Sequence, residues 1–281
     1  MNLIRRLFER PEITGLFHKY MNIDDKSKAA IIEKLNTKNN KMDDFYAVFQ
    51  PKYDARTLSI TGFEALCRWE DPELGTIPPS LFIPIAEETG SIHEIGAFML
   101  EKTIAFISKY SKENNSNIVT SVNLSPAQLH ANRSEKLVKL FVDLIEKYKI
   151  SPSLLQIELT ETETADDITG IAGTIETIQA MGIGLAIDDF GTGHSSVSRV
   201  LELNVDTIKL DRSIVNQILS EKGELLCLGL ITTFHSLEME IVAEGVENKQ
   251  QLEKLRELSC DTIQGYYLGR PISESAALSL V

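Results

Sequence analysis

Cysteine is scarce in this chain. The 281 residues hold three, Cys67, Cys227 and Cys260, far apart and each in apolar surroundings. They supply neither a zinc spacing nor a disulfide framework, which fits a reducing compartment. Positive charge is also short: 28 Lys and Arg face 41 Asp and Glu, a formal net charge of -13. Duplex nucleic acid and anionic lipid therefore find no electrostatic footprint here. A phosphorylated substrate is still admissible where metal ions bring the positive charge. No run approaches ~18 consecutive apolar residues, which argues against a membrane-spanning helix. The opening Met1–Arg10 lacks the uncharged apolar stretch of a secretion signal. A cytoplasmic location is expected. The chain shows no internal repeat, no low-complexity segment and no G-x-G-x-x-G after its first strand-like run, which weakens a dinucleotide-binding reading.

What is present is a regular alternation. Residues 1 to 41 stand apart as a helical arm. Leu3, Leu7, Phe8 and then Ile13, Leu16, Phe17 and Tyr20 recur at helical spacing around Pro11, and Asp24 and Asp25 can cap a short helix to Leu35. From Tyr46 onward, strand-like apolar runs fall near residues 46–53, 60–67, 117–124, 154–159, 183–187, 206–210, 239–243 and 261–264. Amphipathic helices lie between most of them: Leu137, Leu140, Phe141, Leu144, Ile145 and Tyr148 behind a Ser134 cap, Ile168 to Ile178 ended by Gly182, and Leu252, Leu255 and Leu258. Alternating strands and helices predict a parallel sheet. About eight strands in ~240 residues suit a closed (β/α)8 barrel better than an open doubly wound sheet. The Asp54–Ser59 connection holds no helix, so the first two strands are expected to form a hairpin, placing one antiparallel strand in a modified TIM barrel.

Strands buried on both faces should be almost wholly apolar. Here nearly every one bears a polar residue at or near its C-terminal end: Glu64, Asn123, Glu158, the pair Asp188 and Asp189, Lys209, Glu244 and Gln264. A single such residue could be a satisfied ion pair. Seven strands with the same feature point to one shared mouth, where parallel barrels place their sites. Asp188-Asp189 ends an apolar run and leads into Phe190-Gly191-Thr192-Gly193. It reads either as an acidic turn before a helix or as two carboxylates that need a proton or a cation between them. With Glu247, six acids converge on one lysine, and cations are required. Oxygen donors without thiolate or histidine favour Mg2+ or Mn2+ over zinc. Two such ions would suit an in-line displacement at phosphorus.

Glu64-Ala65-Leu66, preceded by Gln50-Pro51 and followed by Arg68-Trp69, resembles the signature of EAL-domain cyclic-di-GMP phosphodiesterases. The resemblance runs from about Phe49 to Ile272. It includes Phe82–Gly90, Val122–Ser125, Glu158–Glu161, Asp188–Gly193, Val242–Glu247 and Gln264-Gly265-Tyr266. The family implies a modified (β/α)8 barrel, two Mg2+ or Mn2+ ions, hydrolysis of cyclic-di-GMP to linear pGpG, and commonly a homodimer. Carried over, Glu64, Asn123, Glu158, Asp188, Asp189 and Glu247 match the metal set, with Asp188 near or bridging both ions. Lys209, Glu244 and Gln264 match positions that hold or activate the attacking water, with Glu64 beside them. Gln50, Leu66 and Arg68 match substrate contacts, and Glu161 the tether of the loop after the double aspartate.

Three positions depart from the family's usual residues: His194 in place of an aromatic ring, Ile214 in place of phenylalanine, and Lys52 where an aliphatic side chain is common. None removes a ligand. His18, His93, His130 and His235 stand singly and read as packing or surface residues. Asp189-Phe190-Gly191 mimics a kinase tripeptide without its companion motifs and is read as chance. The non-catalytic alternative is a cyclic-di-GMP receptor that binds without hydrolysis, and a third reading has residues 1 to 41 docking on a partner.

Overall fold

A computed structural model describes residues 25–36, 42–160, 168–192 and 197–280. The strands are β1 (Phe45–Asp54), β2 (Ile60–Asp71), β3 (Gly75–Ile77), β4 (Val119–Asn123), β5 (Leu155–Thr160), β6 (Gly184–Phe190), β7 (Thr207–Leu210), β8 (Glu240–Ala243), β9 (Thr262–Ile263) and β10 (Ile272–Ser273). Two compact units share them. One comprises the described residues up to Tyr46 with Arg68–Ile95, and the other Ala47–Cys67 with Gly96 onward.

In the larger unit the sheet runs β1-β9-β8-β7-β6-β5-β4-β2 and closes through a β1–β2 pairing, making an eight-stranded barrel. Every step from β2 to β9 is parallel, and β1 alone runs against them, antiparallel to β9. The hairpin expected from the helix-free Asp54–Ser59 link is therefore present. Asp54 builds it: its Oδ1 accepts from the backbone N–H groups of Arg56 and Thr57 at 2.9 and 2.7 Å. Ser59 O accepts from Asp54 N.

Strand alternation sets which side chains enter the barrel. Phe49 of β1 and Phe63 of β2 pack outward on Phe106 of the Ile92–Asn114 helix, with ring centroids 4.0 and 5.3 Å apart. Their neighbours Gln50 and Glu64 therefore face inward, and Lys52, two residues beyond Gln50, does the same. All three are buried. The burial of each of those phenylalanines stabilises the fold by about 1.5–3 kcal/mol, and that fixes a register which forces three polar groups into the interior.

The smaller unit packs helix Asp25–Asn36 through buried Ile31 and Leu35. Lys34 of that helix pairs with Asp71 and Glu73 at 3.2 and 2.8 Å. Trp69 lies in its core, stacked on Phe45 at 4.9 Å and edge-on to Phe82. The rest of the expected arm lies outside the described residues. Among the described residues no helix is long and apolar enough to cross a membrane.

Two expectations need correction. The helix assigned to a Ser134 cap begins at Ala131 and runs to Tyr148, with His130 at the N-cap position. Ser134 is thus inside the helix, because Ser125-Pro126 starts a short helical turn just before it through a capping box with Gln128. The second strand also continues past residue 67 to Asp71, where Trp69, Glu70 and Asp71 pair with β3.

Candidate active site

The strand-end residues of the barrel unit converge as expected. Lys209 of β7 is fully buried. Its Nζ lies 2.8 Å from Glu158, 2.9 Å from Glu244, 3.1 Å from Asp188 and 3.5 Å from Glu64. An ammonium has three N–H donors, so four carboxylates must share them. Gln264 donates from Nε2 to Glu64 Oε2 at 2.6 Å, and Asn123 donates to Glu64 Oε1 at 3.0 Å. The amide oxygen of the same side chain, Gln264 Oε1, is buried and has no hydrogen-bond partner among the described residues.

A break in strand register delivers the double aspartate. Ile187 pairs with Ile208 and Phe190 with Leu210, so Asp188 and Asp189 together stand opposite Lys209 alone. Two residues against one is a β-bulge, which re-aims side chains that a regular strand would send to opposite faces. Asp189 takes a left-handed conformation, φ 55°, and its N–H donates to Asp188 Oδ1 at 2.8 Å. Aspartate tolerates that region better than most residues, and such strain gathers at functional sites. Gly191 follows at φ 101°, and a Cβ there would collide with Ile214.

The bulge produces two overlapping groups. Glu64, Glu158 and Asp188 bring ligand oxygens within 4.8 Å of one another, and so do Asp188, Asp189 and Glu244. Asp188 belongs to both. The family resemblance implies a place near or between two ions for this residue. All the donors are hard carboxylate oxygens, suited to a divalent cation such as Mg2+ or Mn2+. The electrostatics agree with a cluster short of positive charge. Burial raises the Glu64 pKa, with Glu158 adding to it. Glu244 is pushed well above the usual carboxylate range by burial and then by Asp188. Asp189 is open to solvent as a residue, yet its carboxyl loses water on the side facing the cluster, and with Asp188 and Asp211 nearby its pKa rises to about 6. Glu158 goes the other way. Burial opposes its charge, but Lys209 and Lys52 outweigh that and hold it well below the ordinary range.

A pH dependence follows for the metal-free protein. A carboxyl whose folded pKa exceeds its unfolded one near 4 stabilises the fold fully below that value and ceases to as pH rises through the folded pKa. Glu64, Asp189 and Glu244 all act in this sense. In chelator, the melting temperature is expected to fall between about pH 5 and 7, and Mn2+ should cancel the fall because cations replace the departing protons. Calorimetric scans across that range, with EDTA and with Mn2+, check both halves. A metal-free midpoint that climbs with pH would contradict the charge deficit.

Glu247 sits differently from the acids around Lys209. It is exposed, and its carboxylate pairs with Arg212 at 2.6 Å. It nevertheless lines a cleft of about 220 Å3 together with Gln50, Leu66, Glu64, Glu244 and Gln264. Glu244, expected beside the attacking water, is also part of the second carboxylate group. Arg68 is half-buried on the stretch of β2 that belongs to the smaller unit. Glu161 and His194 lie outside the described residues.

Sequence reasoning missed Lys52. Its Nζ donates to Glu158 Oε1 at 2.9 Å and to Ser121 Oγ at 2.8 Å, and it is buried. The two-residue strand period from Gln50 was the signal that could have found it. Arg212, which holds Glu247, was also missed. With Lys52 counted and Glu247 neutralised by Arg212, five carboxylates face two ammonium groups, a formal charge of -3 rather than the -5 expected from six acids and one lysine.

The closed barrel with an acidic mouth defines a class of α/β-barrel proteins equipped to hold divalent cations. The family profile described as the EAL domain matches residues 33–271, and the chain belongs to that family. It is 39% identical over 245 residues to the oxygen sensor protein DosP of Escherichia coli (strain K12), covering 87% of this chain and 30% of that protein. It is 35% identical to the bifunctional diguanylate cyclase/cyclic di-GMP phosphodiesterase MucR of Pseudomonas aeruginosa, covering 83% of this chain and 34% of MucR. The chain thus spans about a third of the length of these curated relatives. A solved structure of the PaMucR phosphodiesterase in complex with c-di-GMP superposes with a TM-score of 0.80 at 32% identity, covering 88% of this chain and 99% of that one.

Proposed function

We propose that the chain hydrolyses cyclic-di-GMP to linear pGpG with the help of two divalent cations. The observation that supports this most is the pair of carboxylate groups sharing Asp188, bound together by the buried ammonium of Lys209. The formal charge is consistent with it: two divalent cations on a cluster of -3 leave +1, which one phosphodiester anion brings to zero. Glu64, Glu158 and Asp188 would hold one ion, and Asp188, Asp189 and Glu244 the other, with Asn123 and Glu247 at the edge. The all-oxygen donor set favours Mg2+ or Mn2+. Bound there, such ions would polarise the phosphoryl oxygens as Lewis acids and lower the pKa of bound water.

The chain's own residues prepare the rest. Lys209 fixes the orientation of four carboxylates and keeps a positive charge inside a site poor in water, where it acts on developing negative charge more strongly than in bulk solvent. Gln264 is anchored through Nε2 to Glu64, which leaves Oε1 to accept a hydrogen bond from a water beside the reacting phosphate. Gln50 is tied to Gly269 O at 3.1 Å and forms the wall of the cleft with Leu66, which supports the reading of both as guanine contacts. Arg68 is proposed as a further substrate contact and Glu161 as the tether of the loop after Asp189. A homodimer and a cytoplasmic location are proposed on the family resemblance.

The test is direct. Purified protein incubated with cyclic-di-GMP and Mg2+ or Mn2+ should release pGpG, and Glu64→Ala should lower turnover by about a hundredfold or more. Folded protein that returns intact nucleotide with either metal would end the hydrolytic reading and leave a receptor.

A further inference from the structure

Lys52 is set apart by what it does to Glu158. It stands on β1, the one antiparallel strand, and reaches across the barrel interior to β5, which is not a neighbour of β1 in the sheet. There it meets a carboxylate with no solvent exposure. Glu158 Oε1 is bound by Lys52 at 2.9 Å, and Oε2 by Lys209 at 2.8 Å. Ser121 of β4 accepts a second hydrogen bond from Lys52 at 2.8 Å, so the ammonium is itself held in place.

Two consequences follow from this geometry. A carboxylate bound at both oxygens cannot rotate, so Glu158 Oε2 stays on Lys209, the ammonium that also meets Asp188 and Glu64. A buried carboxylate already neutralised from behind makes less demand on Lys209, whose three donors are then available to Glu244, Asp188 and Glu64 as well. Without Lys52, Glu158 would turn both oxygens onto Lys209 and draw that ammonium toward β5.

We propose that Lys52 is a positioning residue of the cation site, holding Glu158 Oε1 so that this carboxylate keeps its orientation beside Glu64 and Asp188 and Lys209 can span the remaining carboxylates. The inference rests on the reading of this cluster as a cation-dependent phosphodiester site. Its direction separates it from a plain charge effect. A lysine that acted only as nearby positive charge would, on removal, let the site bind Mn2+ more tightly. A lysine that positions a ligand would, on removal, weaken binding.

The experiment is Mn2+ titration of the full chain by calorimetry and by the electron paramagnetic resonance of free Mn2+, with kcat and KM for cyclic-di-GMP measured alongside. Lys52→Met is expected to weaken Mn2+ binding about tenfold and to lower kcat by more than that, the effect of losing an outer partner of a metal ligand. KM should change by less than about threefold, since the cleft wall is untouched. Lys52→Gln, which keeps an N–H donor without charge, should fall between wild type and Met. A folded Lys52→Met protein with Mn2+ affinity unchanged or tighter overturns the proposal. If Lys52→Met does not fold, Ser121→Ala decides: Mn2+ binding weakened by about threefold or more supports the role, and unchanged binding overturns it. Wild-type protein that binds Mn2+ but does not turn over refutes the phosphodiesterase reading alone, because the sign of the Mn2+ shift still tests Lys52.

Discussion

Replacing Lys209 with methionine is expected to cost both the fold and the chemistry. The side chain is fully buried, and four carboxylates lie within 3.5 Å of its ammonium. Methionine fills much of the same volume, so the loss is almost purely electrostatic. Removing one partner of a buried ion pair typically destabilises by about 3–5 kcal/mol, because the remaining charge has no compensation. Here several acids lose compensation at once, and most will take up protons, which caps the loss near that range. In EDTA at neutral pH the melting temperature should therefore fall by about 10 °C. Mn2+ should restore part of it, since the cations take over the task of balancing charge, and so should a lower pH. Turnover should not return with stability. The expected loss is about a thousandfold, the scale seen when a fixed electrostatic donor is removed from a site where charge develops. A solvated rim lysine would behave otherwise, with a melting shift of a degree or two and activity within tenfold of wild type, and that result would contradict the role given to Lys209.

Much of the barrel was legible because its strands are short and apolar and its helices keep one buried stripe. Ile171, Ile175 and Ile178 illustrate it: they recur at helical spacing and all are fully buried. The hairpin was legible from a missing helix, and the site from polar residues in places where a parallel strand should be apolar. What could not be read depends on pairings between distant segments. β3 and β10 are three and two residues long, and nothing in Gly75–Ile77 or Ile272-Ser273 marks a strand before a partner is supplied. The bulge at Asp188 and Asp189 is a matter of register against β7, which no local pattern encodes. Glu247 reads as one more acid in a row of acids. Only the turn of the chain that brings Arg212 within 2.6 Å reveals that its charge is already matched. Lys52 was passed over as an unusual residue in an apolar slot. Its meaning lies in Ser121 and Glu158, 69 and 106 residues away.

Asp188→Asn should separate stability from function, with the opposite sign to Lys209→Met in the first and the same sign in the second. Asp188 is the one carboxylate common to both carboxylate groups. It also raises the pKa of Glu244 and Asp189 by like charge. Asparagine keeps the oxygen that accepts the Asp189 N–H, so the bulge has no reason to relax. It removes one negative charge from a cluster at -3, and that repulsion was opposing the fold. The lost contact with Lys209 matters less, because three other carboxylates still surround that ammonium. In EDTA near pH 7 the variant is expected to be about 1–2 kcal/mol more stable than wild type, the worth of about one unit of relieved pKa. Cation binding should collapse at both groups together, so the Mn2+-induced rise in melting temperature disappears and turnover falls by about a thousandfold or more, several kcal/mol of lost Lewis-acid stabilisation. A side chain used only to pair with Lys209 would give the reverse: lower stability in EDTA and a Mn2+ response preserved. Paired melting curves with chelator and with Mn2+ distinguish the two outcomes on one preparation. An acid whose removal strengthens the empty protein while abolishing its response to metal is kept for the ions and not for the fold.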